Sequence, residues 1–429
     1  MDIFEQAKRI KPYLANLSVY FLASLVPMFL SLVSNPFVAK NMSPCDYAIV
    51  GYYSAFITLF TPFVNFYFVH YFTKRFYEVD ASEREKLKAT IFKSFISLSF
   101  LMTLVAILLI LVYYVLANKS SEIPFLPYAL LALFRMPLSC IYSLELIDFK
   151  MRRQSKPFFY VSVANSAIAV SLMLLFVVAF KWGAFGHLSS SLLAHTVLFA
   201  YILHRNRHLL HYPFDWLTLK EAAFFCWPMV IAAMLTFFSQ GYDKVILERS
   251  GDLTTLGYYS VGISIAAYIN MLGDSVNSTF QPDVFESIVK RNFRRTFNII
   301  ALKIALMCVI VVAFIILAPY IIDILTFGRY LNSTKYAVIA SLAAITSMMY
   351  YSVSQITIAL GYSSVTLTNK IVGSLMSVLA FNVLISSYGA VGAAWGVVLS
   401  YFFFFFGNVI IVTYKYRHDT YENRNPHLS

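Results

Sequence analysis

The chain has 429 residues, with 33 Lys or Arg against 21 Asp or Glu and a formal net charge of +12. Apolar residues make up 59% of it and charged residues only 13%, too few charges to cover that much apolar surface in water. A soluble enzyme, a nucleic-acid-binding domain and a disordered chain are excluded, and the composition points to an all-α, polytopic integral membrane protein.

Twelve apolar runs follow one another, at 13–36, 46–70, 92–117, 124–147, 158–180, 184–204, 222–247, 254–280, 297–321, 336–360, 365–386 and 389–414. Each is long enough to cross a bilayer as a helix. Barrel strands would instead alternate over about ten residues. The links are short, so no folded domain is expected outside the membrane. The first run is too long for the apolar core of a secretory signal and lacks a small-x-small cleavage site. Cys45, Cys140, Cys226 and Cys308 are far apart, three of them inside apolar runs, and no C-x-x-C or Cys/His spacing suggests zinc.

Lys and Arg crowd alternate links: Lys8, Arg9 and Lys11, then Lys74 to Lys93, then Lys150 to Lys156, then Arg205 to Lys220, then Lys290 to Arg295. The intervening links carry few. This alternation places both termini in the cytoplasm and makes the net charge a topology signal and a contact with anionic lipid. Two local features stand out. Ile3, Phe4, Ala7 and Ile10 share one helical face, suited to the interface. Ser82-Glu83-Arg84-Glu85 has the form of a capping box before span three.

The sequence repeats internally. Asp46 and Gly51-Tyr52-Tyr53-Ser54 recur as Asp252 and Gly257-Tyr258-Tyr259-Ser260, and Gly183, Ala184 and Gly186 recur as Gly389, Ala390 and Gly392. Both matches have the same offset of 206 residues. An even number of spans per repeat keeps the two halves parallel. The expected organisation is therefore an N-terminal six-helix bundle over 1–207, a C-terminal six-helix bundle over 208–418 and a tail over 419–429.

Polar groups at membrane depth are costly and mark cavities or interhelical bonds. Asn270, Asp274, Asn277 and Gln281 form one stripe along span eight. Thr236, Gln240 and Asp243 follow the same rule on span seven, beside Lys244, although the Asp243-Lys244 pair also reads as interfacial. Span one offers Asn16, Tyr20, Ser24, Ser31 and Ser34. Span four has Arg135 at its middle and Glu145 nearer the cytoplasm; spans five, six and ten carry Asn165, His195, and Tyr351, Ser354 and Gln355. Lys303 lies close enough to the cytoplasmic end of span nine to reach water by snorkelling. Pro27, Pro62, Pro137 and Pro228 interrupt spans.

Enzyme signatures are missing. No Gly-Lys dipeptide provides a Walker A loop, and there is no D-x-D, H-E-x-x-H or G-x-S-x-G. The sequence reads as a carrier, not an enzyme, with no cofactor.

Two stretches carry a resemblance: Trp227-Pro228 through Asp243-Lys244-Val245-Ile246-Leu247, and Leu256-Gly257-Tyr258-Tyr259-Ser260-Val261. Asn35-Pro36 through Pro44, with Asp46 and Gly51-Tyr52-Tyr53-Ser54, is a weaker copy in the first half. With twelve spans in a 6+6 repeat, the chain resembles the bacterial polysaccharide flippases of the multidrug/oligosaccharidyl-lipid/polysaccharide flippase superfamily, which export O-antigen or capsule repeat units. The resemblance implies an undecaprenyl-diphosphate-linked oligosaccharide as cargo, alternating access across the inner membrane, and membrane lipids, a polysaccharide polymerase and a chain-length regulator as partners. Arg135 and Lys244 would then meet the diphosphate, and Gln240, Asn270, Asn277 and Gln281 the sugar. Asp274 or Asp243 would bind the coupling ion. A multidrug or metabolite exporter of the same superfamily, favouring an acidic and aromatic cavity, is the alternative, and 30 Tyr and 40 Phe keep it open. A membrane-embedded transferase is a third reading, weakened by the missing motifs.

Overall fold

The computed structural model describes residues 3–117, 121–290, 292–359 and 363–424. The expected interfacial face at Ile3, Phe4, Ala7 and Ile10, the span-one residues Asn16, Tyr20 and Ser24, and the 419–429 tail fall outside the described side chains. Among the described residues every regular element is helical. Nine helices there are long and apolar enough to cross a membrane. The full set of twelve adds α1 (Ile3–Asn41), α12 (Leu253–Val289) and a second pass in α15 (Ser363–Arg424), which breaks at Gly389 with φ 58°.

Local chemistry sets the helix ends. Ser43 accepts a hydrogen bond from the Asp46 N–H and donates its own N–H to the Asp46 carboxylate, a reciprocal cap that starts α2 (Pro44–Asn65). α2 stops where Phe66 and Tyr67 turn left-handed, with φ of 47° and 54°, and Asn65 Oδ1 holds the Tyr67 N–H at 2.8 Å. Expected span two is thus a 22-residue helix followed by the short α3 (Phe68–Arg75). α4 (Ala81–Ala117) is capped by Asp80, which accepts from the Glu83 N–H at 2.8 Å. The expected Ser82 box is therefore not the cap: the helix begins two residues earlier than its spacing requires. Span four is split at Phe134 into α5 (Tyr128–Leu133) and α6 (Arg135–Met151). α7 (Ser155–Met173) ends in a π turn, Leu174–Ala179, before α8 (Gly183–Arg205).

Span seven is broken twice, into α9 (Trp216–Met234), α10 (Phe237–Gln240) and α11 (Tyr242–Glu248). Pro228 lies inside α9, but the breaks come at 235–236 and at Gly241. By contacts the chain divides within this span: one compact unit is Met1–Met234 with Leu325–Phe327, the other Leu235–Ile324 with Gly328–Ser429. The bounds read from the repeat, 1–207 and 208–418, follow sequence symmetry, whereas the contact units divide at Met234. α13 (Phe293–Thr326) and α14 (Thr334–Ala359) complete the second unit's helices.

In the first unit α1 packs on α7, α7 on α8, and α6 on both α8 and α4. One end of this bundle is tied by charge. Buried Lys88 donates to Glu145 Oε2 at 3.1 Å, Asp148 Oδ2 at 2.8 Å and Asn206 Oδ1 at 3.1 Å. In the second unit α14 packs against α12 and α15, and α10 and α11 pack against α15. The outward faces are apolar, with Leu101, Leu104 and Leu108 exposed on α4 and Val309, Val312 and Ile316 on α13. Such surface is stable only in hydrocarbon.

The repeat is visible in the backbone. Gly183 and Gly389, each opening a last span of its half, share left-handed φ of 52° and 58°. Asp46 and Asp252 both serve helix N-termini, Asp46 within the Ser43 cap and Asp252 by accepting the Thr255 N–H at 2.9 Å.

Candidate functional site

The second unit contains a cavity of about 270 Å³. Span seven supplies Gln240 and Asp243, α12 supplies Asn270 and Asp274, α14 supplies Ser347 and Tyr351, and α15 supplies Tyr401; Ile263, Ala267 and Val397 complete the wall. The positions follow from helical spacing. Asn270 and Asp274 are one turn apart, as are Ser347 and Tyr351, so each pair stands on one helix face. The breaks in span seven turn Gln240 and Asp243 toward the same space. Gln240 Nε2 donates to the Tyr401 hydroxyl.

Asp243 is the most constrained group. It is 1% exposed, and Tyr259 donates to its Oδ2 at 2.5 Å. Its Oδ1 is buried with no hydrogen-bond partner among the described residues. A buried carboxylate oxygen without a donor is costly unless a ligand serves it. The lining thus offers two carboxylates, two amides, two phenols and a hydroxyl, all oxygen-rich, and no Lys, Arg or His. Hard oxygen donors of this kind suit a small cation or a hydroxylated ligand. Among the described residues no three His, Cys, Asp or Glu gather as a metal cluster.

Four of the eight expected site residues, Gln240, Asp243, Asn270 and Asp274, therefore share one cavity. The others do not line it. Lys244 is buried in α11 beside Asp243. Asn277 is committed to Lys303: it accepts from Nζ at 2.7 Å and from Gln355 Nε2 at 3.1 Å. Gln281 is exposed further along α12. Lys303 itself departs from expectation. It is 0% exposed and donates to Asn277 Oδ1 and, at 3.1 Å, to Gln355 Oε1. Two amide oxygens solvate its ammonium in place of water, so it does not snorkel.

Arg135 belongs to the first unit. It is the first residue of α6, and Nη1 donates to Ser191 Oγ at 2.8 Å. His187, Ser191 and His195 lie on one face of α8 at successive turns. His195 Nδ1 is 2.8 Å from the Ser191 carbonyl, and His187 Nδ1 is buried without a partner among the described residues. Among the described residues no carboxylate comes within ion-pair distance of the Arg135 guanidinium. A basic group with neutral neighbours is suited to an anion.

Sequence reasoning missed Tyr259, Ser347 and Tyr401 in these roles. Tyr401 did leave a signal: it is the one hydroxyl in the run Tyr401-Phe402-Phe403-Phe404-Phe405-Phe406. Tyr259 appeared only as a letter of the repeat.

Comparison with known proteins decides the family. The family described as "Polysaccharide biosynthesis protein" matches residues 13–282. The chain belongs to this family. No curated protein sequence matches it. Among solved structures, an inward-facing multidrug resistance MATE family transporter of the MOP superfamily aligns with TM-score 0.67 at 12% identity, over 94% of this chain and 99% of that one. The lipid II flippase MurJ in an inward closed conformation aligns with TM-score 0.67 at 15% identity, over 92% and 87%. An outward-facing MATE transporter gives 0.60 at 13%, over 93% and 95%. At these identities the likeness shows a shared fold, that of the MOP superfamily. The family and fold read from the Asp243-Lys244 and Gly257-Tyr258-Tyr259 stretches are those found.

Proposed function

We propose that this polysaccharide biosynthesis family member is a flippase for undecaprenyl-diphosphate-linked oligosaccharide repeat units, moving them from the cytoplasmic to the outer face of the bacterial inner membrane by alternating access. The termini are cytoplasmic in this reading, and an ion gradient drives the cycle. The observation that carries it is a division of charge between the units: an arginine with no acidic partner among the described residues in the first, and an oxygen-lined acidic cavity in the second. Arg135 meets the diphosphate, because a guanidinium binds phosphate oxygens in pairs. Asp243 and Asp274 hold the coupling cation, with Gln240 and Asn270 as neighbouring donors. The sugar's hydroxyls also have Gln281, exposed on the same stripe, whereas Asn277 is held by Lys303. The lipid tail remains in the bilayer. A polysaccharide polymerase and a chain-length regulator would take over the product.

MurJ, whose fold this chain shares, is described as a lipid II flippase, and that supports a lipid-linked cargo here. A second reading draws on the same cavity: two carboxylates and two tyrosines would also suit an organic cation, as in a multidrug exporter. The deciding experiment sorts lipid-linked intermediates by leaflet in a strain lacking the gene. Accumulation of complete repeat units on the cytoplasmic leaflet, reversed by complementation, is expected. Normal transfer with lost resistance to cationic drugs would replace the flippase with the exporter.

A further inference from the structure

We propose that Lys303 is a tethered positive charge that sets how tightly the acidic cavity of the second unit holds its cation. The proposal rests on the cation reading of that cavity and adds a residue that does not line it.

The geometry is specific. Lys303 rises from α13 and ends between α12 and α14, where Asn277 Oδ1 and Gln355 Oε1 take two of its three protons. Gln355 Nε2 closes the triangle onto Asn277. Each helix that holds the ammonium also lines the cavity one turn earlier. Asp274 precedes Asn277 by three residues on α12, and Tyr351 precedes Gln355 by four on α14. The positive charge is therefore fixed about one helical turn from Asp274.

A brace between three helices does not require a charge. A buried ammonium without a carboxylate is an expensive way to make two hydrogen bonds, and a neutral side chain would make them at lower cost. What the charge adds is electrostatic. The cavity presents two carboxylates, Asp243 and Asp274, and Lys303 offsets one of them. A bound monovalent cation then neutralises the group, and a held cation can also leave. Without Lys303 the same cavity would carry an extra unit of negative charge and retain the cation. At roughly 10 Å and an effective dielectric near 20, one unit charge changes a dissociation constant by about tenfold or somewhat more.

The test uses the full-length protein, purified and titrated with sodium ions at constant ionic strength and pH, with choline as the replacing cation. Two variants reach the same net charge by opposite routes. Lys303→Met removes the positive charge, and Asn277→Asp keeps the lysine but adds a negative charge beside it. Both are expected to bind sodium about tenfold more tightly than the unaltered protein and to release it more slowly. Asn277→Asp preserves size and the bond to Lys303, so it serves if Lys303→Met does not fold. Damage to a mere brace would loosen the site, so unchanged or weaker binding in Asn277→Asp overturns the proposal. Sodium binding by the unaltered protein that is equal in both variants would refute the role of Lys303 while leaving the cavity's cation reading intact. If the unaltered protein binds no sodium, that reading fails, and this proposal with it.

Discussion

Tyr259 on α12 donates its phenolic proton to Asp243 on α11 across 2.5 Å, and both side chains are shut away from solvent. The bond fixes which Asp243 oxygen stays free. Tyr259→Phe keeps the ring and removes the donor, leaving a buried carboxylate with neither oxygen bonded. A loss of about 1–3 kcal/mol is expected, read as a lower melting temperature of the purified protein. Asp243→Asn should melt close to the unaltered protein yet lose cation-dependent transport. If Tyr259→Phe melts unchanged, the bond contributes nothing.

Arg135 gives the sharpest functional expectation. Arg135→Ala should abolish surface polysaccharide while the protein stays in the membrane at normal abundance. Arg135→Lys keeps the charge but loses the planar fork, and should retain only a small share of activity. Ser191→Ala removes the 2.8 Å partner but not the charge, so a milder defect is expected. Surface polysaccharide measured on whole cells orders the three, and a normal level in Arg135→Ala would remove this residue from the headgroup site.

The repeat predicts where a methyl group is intolerable. Gly183 has φ 52°, and a Cβ there would lie 2.3 Å from Asp46 Oδ1, the oxygen that accepts the Ala184 N–H at 2.8 Å. Gly251 has φ 77° with nothing near a built Cβ. Gly251→Ala should cost about 1 kcal/mol from backbone strain alone. Gly183→Ala should cost clearly more, since the clash and the strain add and the Asp46 bond is lost. Comparing melting temperatures of the two variants checks the order.

These residues also show how far the sequence could be read. The spans were legible because burial in lipid requires unbroken apolar runs, and that requirement is one-dimensional. Gln240, Asp243, Asn270 and Asp274 could be picked out because polar groups at depth are costly and their spacing puts them on single helix faces. What failed was direction around and between helices. Lys303 lies near a span end, so its depth suggested snorkelling, but its azimuth points inward to Asn277 and Gln355. The breaks at 235–236 and at Phe66-Tyr67 have no glycine or proline at the break itself. Tertiary packing there overrides local preference. Tyr401 joins the cavity only because α15 folds back against α14, which no local pattern announces.

Acid should weaken two helix starts outside the membrane. Hydrogen bonds from the Glu83 N–H to Asp80, and from the Thr218 hydroxyl and N–H to Asp215, hold both carboxyls below the usual carboxylate range. Their contribution is full above the ordinary value of about 4 and fades as pH falls through the lower folded value. The Asp80→Asn and Asp215→Asn double variant should therefore melt below the unaltered protein at neutral pH. That gap should narrow in strong acid, below both values. A gap that stays constant with pH would mean that charge plays no part in the caps.

The last expectation concerns the knot around Lys88. Its ammonium faces Glu145 and Asp148, all three nearly without exposure, while Arg152 also holds Asp148 at 2.7 Å and Asn206 also holds Glu145 at 3.1 Å. Removing one partner of a buried pair leaves an uncompensated charge, so Lys88→Met should lower stability by about 3–5 kcal/mol. Glu145 loses most in that variant, because its remaining strong cation, Arg205, is 3.5 Å away and half exposed to solvent screening. Asp148 keeps Arg152. Replacing Glu145 as well, in Lys88→Met/Glu145→Met, removes the orphaned charge and should recover much of the loss, whereas Lys88→Met/Asp148→Asn should recover less. Melting curves of the three variants decide it. Equal stability of the single and the Glu145 double variant would show that Asn206 and Arg205 already satisfy Glu145 without the lysine, and that the knot contributes geometry rather than energy.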